Sequence, residues 1–185
     1  LIEDINGADT SILSNITTLK LYKYFTPTLN SAVKYTLSFN NALYNPHSGH
    51  NADAGGIISS TGFKINDDSS ANEHWLDDDG DGNLRVYYMS GSTRIYTDST
   101  YGTVNYTTGE VVLTSAHLTS ISNVDGAAST RVRVFAIPNS NDVVPVRNQI
   151  LSIDTSNSSI TGEVDAIISG SSQAGTSYTT SSSYS

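Results

Sequence analysis

The sequence of 185 residues contains no cysteine, which excludes disulfide bonds, thiolate metal sites and a cysteine nucleophile. Basic residues are also scarce: 9 Lys and Arg stand against 18 Asp and Glu, giving a formal net charge of −9. An acidic surface repels phosphate groups, so we expect neither nucleic acid nor a membrane surface as a partner. No apolar run approaches the roughly 18 residues that a membrane-spanning helix needs.

Both ends of the chain are unusual. The single methionine is Met89 and the sequence begins with Leu1, so we expect a piece of a longer polypeptide or a processed product. Glu3 and Asp4 do not fit the basic and apolar stretches of a signal peptide. Residues 169–185 are uncharged and rich in Ser and Thr. Such a segment has too little apolar surface to fold alone, and we expect a partner to order it.

Alternating apolar and polar residues predict strands along most of the chain. The runs 19–26 and 33–40 alternate with a period of two, and we expect them to pair with each other across the intervening turn. Helical periodicity is weak, with at most a short turn of helix near 9–13 or 115–122. Further strands are predicted at 57–58, 63–65, 84–88, 94–96, 104–106, 111–113 and 131–137.

These patterns predict an all-β fold, either an antiparallel β-sandwich or an open barrel built from hairpins. We expect a β-sandwich-like structural domain over residues 1–155. An extended interaction tail, rich in Ser and Thr, should follow over residues 156–185.

The sharpest local motif is an acidic run just ahead of the strand predicted at 84–88. Asp77, Asp79 and Asp81 match the first ligand positions of a calcium loop, where alternate carboxylates converge on a hard cation. The match then ends, because Tyr88 stands where a bidentate glutamate should be. We therefore favour a tight turn of Asp and Gly residues, with calcium as a weak alternative and no other cofactor.

A second motif is a His-x-x-His pair in a glycine-rich loop. His47 and His50 form the pair, and Asp53 follows closely. Two such histidines can begin a metal site, but zinc needs further ligands from fixed elements. We favour a surface loop with no metal.

Motifs of catalysis do not occur in the sequence. No serine lies in a Gly-x-Ser-x-Gly elbow, and no phosphate loop ends in Gly-Lys-Ser or Gly-Lys-Thr. Two carboxylates could still meet in space for glycoside hydrolysis, although no glutamate lies in a convincing motif. We predict that the chain is not an enzyme and has no small-molecule substrate.

Several longer stretches resemble a known family. They are residues 25–29, 44–49, 76–80, 102–113 and 138–154. In this order, they resemble the C-terminal part of the baseplate wedge ring protein of T-even-type contractile-tailed phages. The resemblance implies a structural virion protein of the phage tail baseplate, assembled in the cytoplasm of the host bacterium. It also implies contacts with itself, in a dimer or ring, and with other wedge proteins, and it brings no active site.

With that resemblance, the segment 141–147 becomes a candidate contact surface. It carries apolar residues around a proline and one arginine that could pair with an acidic neighbour. The interface candidates are Val143, Val144, Pro145 and Arg147, together with Tyr178 and Tyr184 in the tail.

Two other functions stay open. The first is a calcium-stabilised extracellular adhesion or carbohydrate-binding module, which the acidic run and the Ser, Thr and Tyr content favour. That hypothesis predicts thermal stability that depends on calcium. The second is a polysaccharide-degrading enzyme or its accessory domain, which would need two carboxyl groups about 5–9.5 Å apart in a groove.

Overall fold

The computed structural model describes residues 2–10, 12, 15–140, 143 and 152–162. The chain divides into two compact units, Leu1–Gln149 and Ile150–Ser185. In the second unit, a single 3-10 turn, Thr155–Asn157, is described. Most of the predicted tail, residues 163–185, lies outside the described residues.

The first unit is built from strands. A short helix, α1 (Ile2–Asn6), precedes them, and a 3-10 turn (Ala52–Ala54) lies in the glycine-rich loop. The described strands are β1 (Leu21–Phe25), β2 (Ala32–Ser38), β3 (Ile58–Ser60), β4 (Phe63–Ile65), β5 (His74–Asp78), β6 (Asn83–Ser90), β7 (Thr93–Asn105), β8 (Glu110–Ile121) and β9 (Val132–Ala136).

The strands form two antiparallel sheets. Three strands pair in the order β1-β9-β3, and six in the order β2-β8-β4-β5-β6-β7. Because β7 pairs with β8 as well, strands β4 to β8 close into a five-stranded barrel. The predicted all-β class, built from antiparallel hairpins, is confirmed.

One predicted pairing is wrong. The runs 19–26 and 33–40 do contain strands, but β1 pairs with β9 while β2 pairs with β8. Between them, Asn30 adopts a left-handed conformation with φ of 57°, and its N–H donates to the Leu118 carbonyl at 2.7 Å. The connection therefore carries the chain from one sheet to the other instead of folding it back as a hairpin.

Two further local predictions need correction. A single strand, β7, replaces the two strands predicted at 94–96 and 104–106, and register shifts in its ladder with β6 accommodate its length. Residues 115–122, one of two predicted places for a short turn of helix, belong almost entirely to β8. That strand pairs with β2, β4 and β7, so tertiary pairing satisfies its backbone groups.

One cluster of buried side chains joins the two sheets. Val132 and Val134 enter it from β9, while Leu76, Leu84 and Leu113 enter it from the barrel. They occupy alternate strand positions, as expected when each strand buries one face. Full burial of one such side chain contributes about 1.5–3 kcal/mol, so this cluster is the main source of stability. In the part of the chain that the structure describes, no helix is long and apolar enough to cross a membrane.

Candidate functional site

Two adjacent carboxylates lie at the centre of the acidic run. Asp77 and Asp78 end strand β5 and are 2% and 0% exposed. Successive strand residues point to opposite faces, so the two side chains enter different surroundings. A buried carboxylate is costly unless hydrogen-bond donors surround it, and each of these has its own set of donors.

Asp77 binds cationic and phenolic donors on the outer face of the barrel. It accepts hydrogen bonds from Arg85 Nε at 2.8 Å, Arg94 Nη1 at 3.0 Å and the Tyr96 hydroxyl at 3.0 Å. Burial raises the pKa of Asp77, while the hydrogen bond and charge of Arg85 act in the opposite direction. Arg85 also donates to the Ala52 carbonyl at 2.9 Å, which ties the glycine-rich loop to this strand.

Asp78 binds neutral donors on the inner face. Its Oδ1 accepts from the backbone N–H groups of Ile57 at 2.6 Å and Ile58 at 2.7 Å, where the loop enters β3. Its Oδ2 accepts from the Tyr106 hydroxyl at 2.6 Å. The pKa of Tyr106 is strongly raised by burial and by this hydrogen bond to the Asp78 carboxylate. Asp78 thus joins β5, the start of β3 and the end of β7.

The loop backbone approaches Asp78 too closely for any side chain at position 56. Gly56 has φ of 61°, and a Cβ built on it would lie 2.2 Å from Asp78 Oδ1. Both the backbone conformation at position 56 and the close approach to Asp78 therefore require glycine there.

The remaining acidic residues of the run shape the turn between β5 and β6. Asp79 accepts from the backbone N–H groups of Asp81 and Asn83 at 2.8 and 2.9 Å, and from Asn83 Nδ2 at 2.6 Å. Partial burial raises the pKa of Asp79, but the hydrogen bonds from Asn83 and Asp81 outweigh burial and lower it. Asp81 accepts a hydrogen bond from the Ser48 hydroxyl. The predicted turn ahead of β6 is therefore present, but only over residues 79–82. Asp77 and Asp78 belong instead to β5, a strand that the sequence pattern did not predict.

The structure does not bring the three calcium candidates to one point. Asp77 faces Arg85 and Arg94, Asp79 faces its own turn, and Asp81 faces the glycine-rich loop. Among the described residues, no three His, Asp, Glu or Cys side chains are grouped to hold a metal ion.

The two loop histidines do come together. His50 Nδ1 lies 3.4 Å from His47 Nε2, and the ring planes are nearly perpendicular at 81°. Asp53, the third residue of that motif, is exposed in the 3-10 turn Ala52–Ala54.

A feature that the sequence analysis missed lies on the outer face of the three-stranded sheet. Tyr22 packs against Phe135 with ring centroids 5.9 Å apart. Arg131 lies over the Tyr24 ring at 4.3 Å, and Arg133 lies 5.7 Å from the Tyr22 ring centre. These five residues are called the aromatic–arginine face below. Alternation in β1 indicated which residues point outward, but only the β1–β9 register sets them beside the arginines.

Most of the predicted interface residues lie outside the part of the chain that the structure describes. Val143 is half-buried. The other candidates, Val144, Pro145, Arg147, Tyr178 and Tyr184, lie outside the described residues.

Comparisons with protein-family models, with curated proteins and with solved structures find no match for this chain.

Proposed function

We propose that this chain is a structural virion protein of a contractile phage tail baseplate that holds subunits together through protein–protein contacts. The observation that carries the proposal is the aromatic–arginine face. Tyrosine and arginine dominate the energetics of protein interfaces, because both combine a large contact area with hydrogen bonding. Arginine side chains lie over both rings, but Tyr24 is 52% exposed and Tyr22 is 39% exposed, so the uncovered part of each ring is available to a partner. The baseplate context comes from the ordered motifs that resemble the wedge ring protein.

Charge favours a second copy of the chain as the partner. On the aromatic–arginine face, Arg133 is paired with Asp125 at 3.2 Å. The positive charge offered to a partner therefore comes from Arg131 and from the exposed Lys20, which lies just before β1 at an outward-facing position. The chain as a whole carries a net charge of −9. A basic, aromatic patch on an acidic protein fits the acidic surface of another copy, and complementary charge also speeds association. Other wedge proteins would bind in the same assembly.

The Asp77–Asp78 pair supports a structural role for the acidic run. Each described oxygen contact of these two carboxylates goes to an N–H or O–H group of the chain itself. The carboxylates stabilise the junction of the glycine-rich loop, the barrel and the three-stranded sheet, as expected in a structural protein.

The second candidate function is the calcium-stabilised adhesion or carbohydrate-binding module. A polar groove of about 760 Å³, lined by Asp81, Tyr106 and Glu110 among others, favours it. The rings of Trp75, Tyr87 and Tyr96 form a row on the barrel with neighbouring centroids 6.0 Å apart, but this row favours the binding module less. Arg94 lies 4.8 Å from the Tyr87 ring centre and Arg85 lies 4.3 Å from that of Tyr96, so guanidinium groups cover one face of each ring.

Sedimentation velocity of the 1–185 chain tests the proposal. We expect self-association, and we expect the double substitution Tyr24→Ser with Arg131→Ala to weaken it at least about tenfold, as for hot-spot residues. Tyr44→Ser is the matched control, because Tyr44 is 40% exposed but lies outside the face. A monomeric wild-type chain, or equal association of both variants, would contradict the proposal.

A further inference from the structure

The glycine-rich loop holds its two histidines in a fixed relation. A turn closes from His50 N–H to the His47 carbonyl at 3.2 Å, which places both side chains on one side of the loop. The loop is tied to the β5–β6 turn by Gly49 N–H and by Asn45 Nδ2, which donate to the Gly80 carbonyl at 3.2 and 3.1 Å. The pair is therefore preorganised by the barrel and does not depend on a mobile loop.

Hydrogen bonding fixes which nitrogen of His47 is free. Its Nδ1 lies 2.9 Å from the Ser48 carbonyl, and a carbonyl oxygen only accepts. Nδ1 therefore carries the proton, and Nε2 presents its lone pair towards His50. An imidazole whose other nitrogen donates to a backbone carbonyl is the usual form of a metal-ligating histidine.

The separation of the two facing nitrogens fits one metal ion. His47 Nε2 and His50 Nδ1 are 3.4 Å apart, which is long for a hydrogen bond. Two bonds of about 2.0–2.1 Å from one tetrahedral ion place their nitrogens about 3.3–3.4 Å apart. The ring of Tyr44 packs against His50 edge to face, with centroids 5.2 Å apart, and supports its orientation.

We propose that His47 and His50 form a two-ligand site for a divalent transition metal such as Zn²⁺, Ni²⁺ or Cu²⁺. Imidazole nitrogen favours these ions over calcium and magnesium, which prefer oxygen ligands. The site is distinct from the acidic run considered for calcium, and it does not rest on the proposed assembly function. Since no third protein ligand is grouped with the pair among the described residues, water fills the remaining coordination positions.

Calorimetric titration of the untagged chain with Zn²⁺ tests the site. We expect one Zn²⁺ per chain, a loss of affinity of at least about tenfold in His47→Ala and in His50→Ala, and none in His117→Ala. His117 is the control because it lies on β8, away from the loop.

Nitrogen chemical shifts of the histidine rings provide a second readout, which detects zinc binding even when the affinity is too low for calorimetry. Zn²⁺ should perturb Nε2 of His47 and Nδ1 of His50, and Ca²⁺ should perturb neither. Unchanged zinc affinity in both loop variants would overturn the proposal. So would a perturbation of His117 equal to that of the loop pair.

Discussion

At the scale of single residues, the Asp77–Asp78 pair shows how adjacent identical side chains acquire different roles. Strand alternation sends one carboxylate outward to Arg85 and Arg94 and the other inward to backbone N–H groups. The outward carboxylate receives charged donors and the inward one receives neutral donors. Both therefore stabilise the fold, although acidic residues in a row would repel one another in an unfolded chain.

Asp78 is the residue whose removal should cost the most stability. Asp78→Ala leaves the N–H groups of Ile57 and Ile58 and the hydroxyl of Tyr106 without an acceptor in a buried site. We expect a loss of at least about 3 kcal/mol in the free energy of unfolding. Asp78→Asn keeps one acceptor oxygen and should lose less, about 1–3 kcal/mol.

Urea unfolding measures these losses, with Asp81→Asn as the control. Asp81 is exposed and accepts from the Ser48 hydroxyl, so its substitution should change stability by no more than about 0.5 kcal/mol. An Asp78→Ala protein as stable as the Asp81→Asn control would refute the structural role of the buried carboxylate.

His74 should make stability depend on pH. The ring is fully buried; Nδ1 donates to the Asn72 carbonyl at 3.0 Å, so Nε2 accepts from the Thr97 hydroxyl at 3.0 Å. Burial lowers the pKa of His74 below its ordinary 6.5, against the opposing effects of Asn72 and Asp68. The unfolded chain therefore binds this proton more readily, so stability is present above about pH 6.5 and is lost as the pH falls below it.

Unfolding free energies of the wild type and of His74→Gln at pH 7.5 and pH 5.5 check this effect. The wild type should lose more stability than the variant between the two pH values. Equal losses would show that other groups account for the acid sensitivity.

Little of this residue-scale chemistry could be predicted from the sequence. Asp and Gly in a short run indicated the turn that follows Asp78, but the run did not indicate that Asp77 and Asp78 lie in strand β5. The partners of Asp78 come from positions 57, 58 and 106, and those separations carry no local signal. The same holds for Arg131 beside Tyr24, which only the strand register brings together.

At the scale of elements, the barrel closes where β7 meets β8. Gly102 pairs with Leu84 on one side and with Leu113 on the other, so three strands meet at this residue. A Cβ at this position would lie 1.9 Å from the Val112 carbonyl oxygen. A carbonyl within a strand ladder cannot move without breaking its hydrogen bonds, so the seam requires glycine here.

Gly102→Ala should therefore destabilise the barrel more than an alanine at a turn glycine does. Gly91 in the β6–β7 turn is the control, because its φ of 62° is unfavourable for alanine but nothing lies within 4 Å of the added Cβ. We expect about 1–2 kcal/mol for Gly91→Ala and a larger loss for Gly102→Ala, measured by thermal unfolding. Equal losses would contradict the account, because they would show that the close contact with the Val112 carbonyl does not make glycine necessary at position 102.

Element types were more predictable than their pairing. Alternation located β1, β2, β4, β6 and β9 because each buries one face. It did not show that β1 and β2 belong to different sheets, because the turn at Asn30 looks like a hairpin turn in sequence. Pairing depends on the left-handed backbone and the contact with Leu118, which are tertiary features.

At the scale of the whole molecule, the distribution of charge over the surface says more about a partner than the net charge does. The chain carries a net charge of −9, yet Arg131 and Lys20 place positive charge on the outer face of the three-stranded sheet, where Arg133 is already paired with Asp125. The two acidic side chains that are buried among the described residues, Asp77 and Asp78, are used within the fold and do not define the surface. A basic, aromatic face on an acidic chain fits the proposed contacts between copies.

Light scattering of the purified 1–185 chain, with calcium and with chelator, tests the structural assembly function most directly. We predict dimers or larger species whose mass and melting temperature are the same in both conditions, because the carboxylates of the acidic run bind groups of the chain itself. A monomer whose melting temperature falls sharply in chelator would contradict the assembly function and favour the calcium-stabilised binding module.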